Sequence, residues 1–504
     1  SEPATFAIRL RQHLRQHLDE LLPDGEGVAR ARWEGSPFLG LLAFQFKDAE
    51  IFHGREREVD EVLLALHRRD REGCAFLLIL GASGSGKSSL VRAGVIPQLV
   101  LHPLSSEAGP WRWAALTPGV HAGDLIGGLT RALAAETALP ALRGDAAALA
   151  SLAGALVRDP RGAWELRIRE ALDQLNVGGK PARLVLAIDQ LEECFTHPAI
   201  TAPECESLFA ALDVLARSGR VWVLATLRSD AYQACQRYPS LMALKGESGQ
   251  FDLLAPTPAD LRRIITEPAR LAGLRFERDP RTHHALDERI LTDAAGHADA
   301  LPLLEFALDR LYERRTAEGE LTFEAYERIG RVEGALREHA EELYRSLPER
   351  ARRTFDTVMS ALVTVQGSDQ AVTRRRARMD ELALNDDQRA LVEQFTQGRI
   401  LVADRDETGR ATLTVAHEAL LAAWPRLADW IARNQDLLRV RARVDSEQAA
   451  WEEHGRDERY LLAAGIRLSE GEDLLAQWGD RLSPGAVQFI SQSASAARAA
   501  ELRG

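Results

Sequence analysis

Lysine is scarce in this chain. Lys47, Lys87, Lys180 and Lys245 are its lysines, and all its other basic side chains are arginines. Together with abundant alanine, the bias matches GC-rich coding, so an arginine run is a weak sign of function. Long apolar runs are also missing: no uncharged stretch reaches the roughly 18 residues a membrane helix requires, which excludes a helical span. The first residues, SEPATFAIRLRQHL, have arginines among the apolar positions and lack the apolar centre of a secretory signal. No Met starts the chain, and the expectation is a processed or excised piece of a longer protein. Cysteine is sparse as well. Cys74, Cys194, Cys205 and Cys235 show no CxxC spacing, which excludes a disulfide framework and suits reduced thiols in a cytoplasmic protein. Finally, there is no positive balance. A net charge of −12 speaks against a main task of neutralising nucleic-acid phosphates, although a local basic face is compatible with it.

What is present reads as a globular chain, 45% hydrophobic and 27% charged, and 504 residues are too many for one core. The first chemical signal is GASGSGKSS, which matches G-x-x-x-x-G-K-[ST] from Gly81 to Ser88. The apolar strand Phe76 to Leu80 precedes it and a helix-compatible stretch follows. Gly81, Gly84 and Gly86 let backbone wrap closely around phosphate oxygens, and the next helix aims its N-terminal N–H groups at them. Lys87 is expected to reach the β- and γ-phosphates of ATP or ADP, and the Ser88 hydroxyl to ligate Mg²⁺. Ser83 and Ser85 on the loop and Ser89 behind it complete the expected nucleotide-binding set.

Such a loop needs a second strand that carries a carboxylate for the metal. RLVLAIDQLEECF supplies it: Arg183 to Ile188 is strand-like and ends at Asp189, the Mg²⁺ candidate. Glu192 and Glu193 follow, and either one could orient the attacking water as a general base; both could also be plain acids at a helix start. A further strand, Val221 to Arg228, puts Arg228 where strand tips meet the γ-phosphate, unless it simply pairs with nearby Asp230. A last core strand is expected at about Phe251 to Leu254.

Upstream, Phe52-x-Gly54-Arg55-Glu56-x-Glu58 stands just before an amphipathic helix. This box, the glycine-rich loop, the DQLEE segment and the TLR strand end resemble the STAND class of signal-transduction ATPases, relatives of AAA+ proteins. SPFLGL before the box and VAHEALLAAWPRL near the C-terminus resemble the bacterial novel STAND subgroup, and the similarity runs from about Ser36 to about Leu475. The resemblance implies that Phe52, Gly54 and Arg55 border the adenine. It also implies that Pro302, in GHADALPLLEFALDRLYERR, presses on the nucleotide from a helical arm. Ala300 stands where the general pattern has Gly, and Pro302 could equally be an ordinary first-turn proline.

Leu347 to Asn434 reads as helix, short helix, helix and then the hairpin RILVADRDETGRATLTVA, an order that suggests a winged helix. Such a module raises the question of DNA binding, with TRRRAR, Thr373 to Arg378, as phosphate contacts, but the acidic surroundings and the arginine bias speak against it. In the STAND class the winged helix folds back on the nucleotide, and the resemblance implies that His417 contacts the β-phosphate of ADP. Glu418 replaces the Asp usual in eukaryotic members. His417 could instead be a helix-start residue. Asp436 to about Trp478 reads as amphipathic helices, and SASAARAAELRG as a polar, Ala-rich tail that fades out.

The expected fold is thus an α/β P-loop NTPase core with a parallel five-stranded sheet, followed by an all-α helical arm, a winged helix and C-terminal helices. The expected boundaries are 1–35 for an N-terminal helix and linker, 36–255 for the core, 256–345 for the arm, 346–434 for the winged helix and 435–504 for the C-terminal segment. The expected function is a switch: ADP locks a closed monomer, and ATP with a trigger favours an open, self-associating form that activates a linked effector, with slow hydrolysis. An AAA+-like motor or loader acting on DNA or protein is the alternative. The expected partners are further copies of the chain and an unidentified trigger and effector, with neither nucleic acid nor membrane among them.

Overall fold

Phe76–Gly81 is six consecutive buried residues, and Arg183–Ile188 and Val221–Arg228 are nearly as apolar. Runs of this kind suit the inside of a parallel sheet covered on both faces. In the computed structural model they are β1 (Phe76–Gly81), β3 (Arg183–Ile188) and β4 (Val221–Arg228) of a five-stranded parallel sheet. Its other strands are β2 (Trp111–Leu116) and β5 (Gln250–Asp252), and the order is β2-β3-β4-β1-β5. The model describes residues 33–102, 109–197, 200–295, 300–366, 371–379, 382, 384–405 and 410–501. The expected N-terminal helix and the Asp-Glu-Thr-Gly turn of the hairpin lie outside these.

Alternation along the strands builds two cores. Leu78, Leu80, Leu186, Ile188 and Val223 pack with Leu125, Leu129, Leu208 and Leu212, from helices Leu125–Leu133 and Ala202–Ala216. Leu77, Ile79, Val185, Ala187 and Leu224 pack on the opposite face with Val59, Leu63, Leu66, Leu90 and Val91. The register sets Gly81 beside Arg228 and Ile188 beside both Leu116 and Ala225, so the glycine-rich loop and Asp189 leave the same edge. Strand β4 lies between their parent strands.

Two core strands differ from expectation. β5 runs Gln250–Asp252 and not Phe251 to Leu254, although the Leu253 N–H still donates to Leu80 O at 2.7 Å. β2 was not located in the sequence, because WRWAAL carries Arg112 inside it, sits at the sheet edge and buries only Trp111, Ala114 and Leu116. Thr257 and Asp260 form a full capping box that opens helix Pro258–Leu271.

Contacts divide the chain into two units, one up to Val332 and the other from Glu333. In the second, Glu349–Arg352 and Phe355–Leu362 are helices, as is Asp386–Gln397. A hairpin of Val363–Gln366 with Ala371–Arg374 interrupts the expected all-helical run. Its Val and Thr residues favour strand over helix. Leu401–Arg405 and Ala411–Val415 pair antiparallel as expected, with Ala377–Arg378 added as a third strand. The C-terminal tail needs correction. Pro484–Glu501 is a helix that buries Ala486, Phe489, Ile490 and Ala494, so its alanines are helix formers on a packed element. All four cysteines are free and buried. Among the described residues no helix is long and apolar enough to cross a membrane.

Candidate functional site

The loop after β1 turns through Gly84 and Gly86 at φ +75° and +90°, a backbone open to glycine at low cost. A helical turn, Lys87–Ser89, follows, continued by a π-helical stretch, Leu90–Val95, and an α-helix, Ile96–Leu101. Lys87 Nζ lies over the loop's own carbonyls, 2.9 Å from Gly81 O and 2.7 Å from Ala82 O. Burial pulls the Lys87 ammonium below its ordinary value, and the nearby Glu192 and Asp189 carboxylates oppose that shift.

The loop meets the acid strand through Ser88, whose Oγ donates to Asp189 Oδ1 at 2.8 Å. Thr226 Oγ1, near the end of β4, donates to the same oxygen at 2.7 Å and accepts the Gln190 N–H at 2.9 Å. Gln190 holds φ +59°, which turns the chain sharply after Asp189. Asp189 Oδ2 pairs with Arg92 Nη2 at 2.9 Å. Sequence reasoning singled out neither Thr226 nor Arg92. Thr226 stood in the quoted TLR strand end, and Arg92 stands four residues beyond Ser88, one helical turn on.

The two glutamates separate. Glu193 Oε2 accepts the Gly119 N–H at 2.7 Å and so anchors the turn after β2. Glu192 Oε2 accepts the Arg228 N–H at 3.3 Å, and burial raises its carboxyl to about 7, against the pull of Lys87. The Arg228 guanidinium forms a two-bond pair with Asp230, at 3.0 and 2.6 Å.

The upstream box lies against the loop. Arg55 is buried and donates from Nη2 to Ser85 O at 3.2 Å and from Nη1 to Glu58 Oε1 at 3.3 Å. Gly54, at φ +78°, lets the Asp260 turn approach so closely that a Cβ would sit 2.5 Å from Asp260 O. Phe52 packs against Phe44, and its ring lies 3.0 Å from where a Gly94 Cβ would stand. Ser89 Oγ accepts the Phe44 N–H at 3.2 Å, and Ser83 is half-buried on the loop. Pro302 is buried in the first turn of helix Ala300–Glu313, and its neighbour Leu301 lies 3.2 Å from where a Gly86 Cβ would stand. His417 belongs to the second unit, where its Nδ1 accepts the Ala419 N–H at 3.1 Å, a helix-start contact.

The residues fit a nucleotide with Mg²⁺. Ser85 Oγ and Arg55 Nε are buried without a hydrogen-bond partner among the described residues. The Ser88 and Asp189 oxygens form the hard donor pair that Mg²⁺ prefers alongside phosphate oxygens. A parallel sheet with a glycine-rich loop after β1 and a carboxylate after β3 is the core of a P-loop NTPase. The family model Novel STAND NTPase 1 matches residues 37–459, and the chain belongs to that family. No curated protein matches the chain. Similar solved structures include the Aeropyrum pernix ORC2 protein with ADPNP and ADP, at 13% identity and TM-score 0.39, covering 76% of this chain and 94% of that one. The Aeropyrum pernix ORC1 protein in complex with DNA is 17% identical, with TM-score 0.38 and coverage of 76% and 95%. A STAND protein with a tetratricopeptide repeat sensor from Pyrococcus horikoshii is 12% identical at TM-score 0.32; the match covers 92% of this chain and 60% of that one.

Proposed function

We propose that the chain is an ATP/ADP-dependent signal-transduction switch with slow ATP hydrolysis. The observation that carries this reading is the convergence of Lys87, Ser88, Asp189 and Glu192 on one sheet edge, with the Leu301–Pro302 helix start over Gly86. The core thereby has what binding and hydrolysis need, together with a helical arm that can sense the loop. Ser88 and Asp189 would hold Mg²⁺, which would supply charge neutralisation at the phosphates. Lys87 binds the β- and γ-phosphates, and Glu192 takes the proton of the attacking water. Its raised carboxyl and its place next to Lys87 favour it over Glu193, which is engaged with the Gly119 backbone. Arg228 leaves Asp230 to read a γ-phosphate.

ADP locks a closed monomer and ATP with a trigger favours an open, self-associating one. A flip from about 1:99 to 99:1 requires roughly 5.5 kcal/mol of differential contact to the open state. The role of His417 toward the β-phosphate and the winged-helix character of 346–434 belong to this proposal. Nucleic acid falls outside the expected partners, because in the basic segment Arg374 donates to Ala416 O and Arg375 pairs with Asp445.

The test is to identify the nucleotide that copurifies with the protein, alongside the mass of the native particle. Stoichiometric ADP on a monomer, released with assembly by His417→Ala, is the expected result. An ATP-loaded ring with brisk turnover would replace the switch with a motor.

A further inference from the structure

Beyond the expected ligands of Mg²⁺, a third group holds Asp189. Arg92 lies on the π-helical stretch that follows the loop, and its guanidinium touches three separate elements. Nη2 is 2.9 Å from Asp189 Oδ2 and 3.4 Å from Thr117 Oγ1, just past β2. Nη1 donates to Gln45 Oε1 at 3.2 Å. We infer that Arg92 is a positioning residue that fixes the rotation of the Asp189 carboxylate and couples it to the segment Ala43–Asp48, upstream of the F-x-G-R-E box.

The two carboxylate oxygens are held by different partners. Oδ1 takes the hydroxyls of Ser88 and Thr226, and Oδ2 takes the cation. This division keeps Oδ1 directed at Ser88, the other oxygen donor of the metal site. The pair is no rim contact, since the Asp189 side chain is 4% exposed and that of Arg92 26%. A planar fork is required. Arginine bonds Asp189 and Gln45 from separate nitrogens of one fork, a geometry that the compact lysine ammonium lacks.

Gln45 in turn organises its own segment. Its N–H donates to Asp48 Oδ2 at 2.8 Å, its Nε2 donates to Ala43 O at 2.8 Å, and the adjacent Phe44 N–H donates to Ser89 Oγ. The helix after the loop therefore grips this segment twice, through Ser89 and through Arg92. Loss of the Arg92 guanidinium would therefore loosen both the Asp189 carboxylate and residues 43–48.

The inference rests on the nucleotide reading above, and the experiment separates the two. ADP affinity is measured by calorimetry in Mg²⁺ and in EDTA for the full chain and for Arg92→Ala, Arg92→Lys and Gln45→Ala. Amide hydrogen exchange over residues 43–48 is followed in the nucleotide-free proteins. Arg92→Ala is expected to weaken binding about 10-fold or more in Mg²⁺ and less than about twofold in EDTA, and to speed exchange over 43–48. Gln45→Ala should speed the same amides and leave the Mg²⁺ effect intact, while Arg92→Lys should keep most of the Mg²⁺ effect without the protection. Equal losses in Mg²⁺ and EDTA, or unchanged exchange in a folded Arg92→Ala protein, overturn the inference. If Arg92→Ala does not fold, Arg92→Lys and Gln45→Ala decide it in the same terms: protection unchanged in both overturns it. A wild-type protein without Mg²⁺-sensitive nucleotide binding would refute the nucleotide reading, and the exchange measurement would still decide the Arg92 link.

Discussion

Ser88 Oγ and Asp189 Oδ1 stand 2.8 Å apart although 101 residues separate them in the chain. The sheet brings them together, because β4 spaces their parent strands and all three end at one edge. Asp189→Asn keeps the shape and one acceptor but removes the charge. ADP and ATP binding in Mg²⁺ should weaken about 10- to 100-fold, and binding in EDTA should change little. Calorimetry with and without the metal checks this, and equal losses in both would remove Asp189 from the metal site.

Glu192→Gln should lower ATP hydrolysis by about 10²- to 10⁴-fold while leaving nucleotide affinity nearly intact. The wild-type single-turnover rate should rise with pH through about 7, as the buried carboxyl loses its proton. Glu193→Gln should instead loosen the turn at Gly119 and lower the melting temperature. A hydrolysis defect confined to Glu193→Gln would exchange the two roles.

Gly54→Ala tests the close approach of the box to helix Pro258–Leu271. An added Cβ would stand 2.5 Å from Asp260 O and 2.6 Å from Ile264 Cγ1, at φ +78°. Backbone strain and steric overlap together should cost on the order of 2–4 kcal/mol. Denaturant unfolding of the purified variant measures it, and a loss below about 0.5 kcal/mol would show that the turn relaxes freely.

Glu305 is buried on helix Ala300–Glu313, and burial together with the Asp309 charge raises its carboxyl to about 8. Ser36 Oγ donates to Asp309 Oδ1 at 3.0 Å on the same face. A folded value above the unfolded one, about 4.3, means that the folded chain holds an extra proton between them. Stability is then fully present at low pH and lost as pH rises through about 8. Glu192 contributes with the same sign up to about pH 7. Glu305→Gln should therefore flatten the fall in melting temperature between about pH 5 and 8, by the equivalent of up to roughly 4 kcal/mol, and a parallel pair of curves would reject this.

The glycine-rich loop, Asp189, the two glutamates and Arg228 were readable because each is a local pattern of residue types bound to an apolar strand. β2 was not, since this edge strand is interrupted by Arg112 and buries only three of its six residues, so it has no long apolar run. The hairpin at Val363–Gln366 carried β-branched residues, but the amphipathic helix Phe355–Leu362 runs straight into it and masks the change of period. The final helix looked like a fading tail because Ser and Ala show little polarity contrast, and only its packed face, with Phe489 and Ile490, reveals its role.

The sequence by itself determined the chemistry of the P-loop core. A phosphate cradle requires glycines, a lysine and a hydroxyl at fixed spacing, and short-range constraints of that kind are written in consecutive residues. Only the tertiary structure decided which groups share a carboxylate. It placed Thr226 and Arg92 on opposite oxygens of Asp189, gave Glu193 to a backbone N–H and left Glu192 beside Lys87, and set Arg55 on the loop. These pairings join strands and helices far apart in the chain, and strand order and register fix them, quantities that no local stretch of residues encodes.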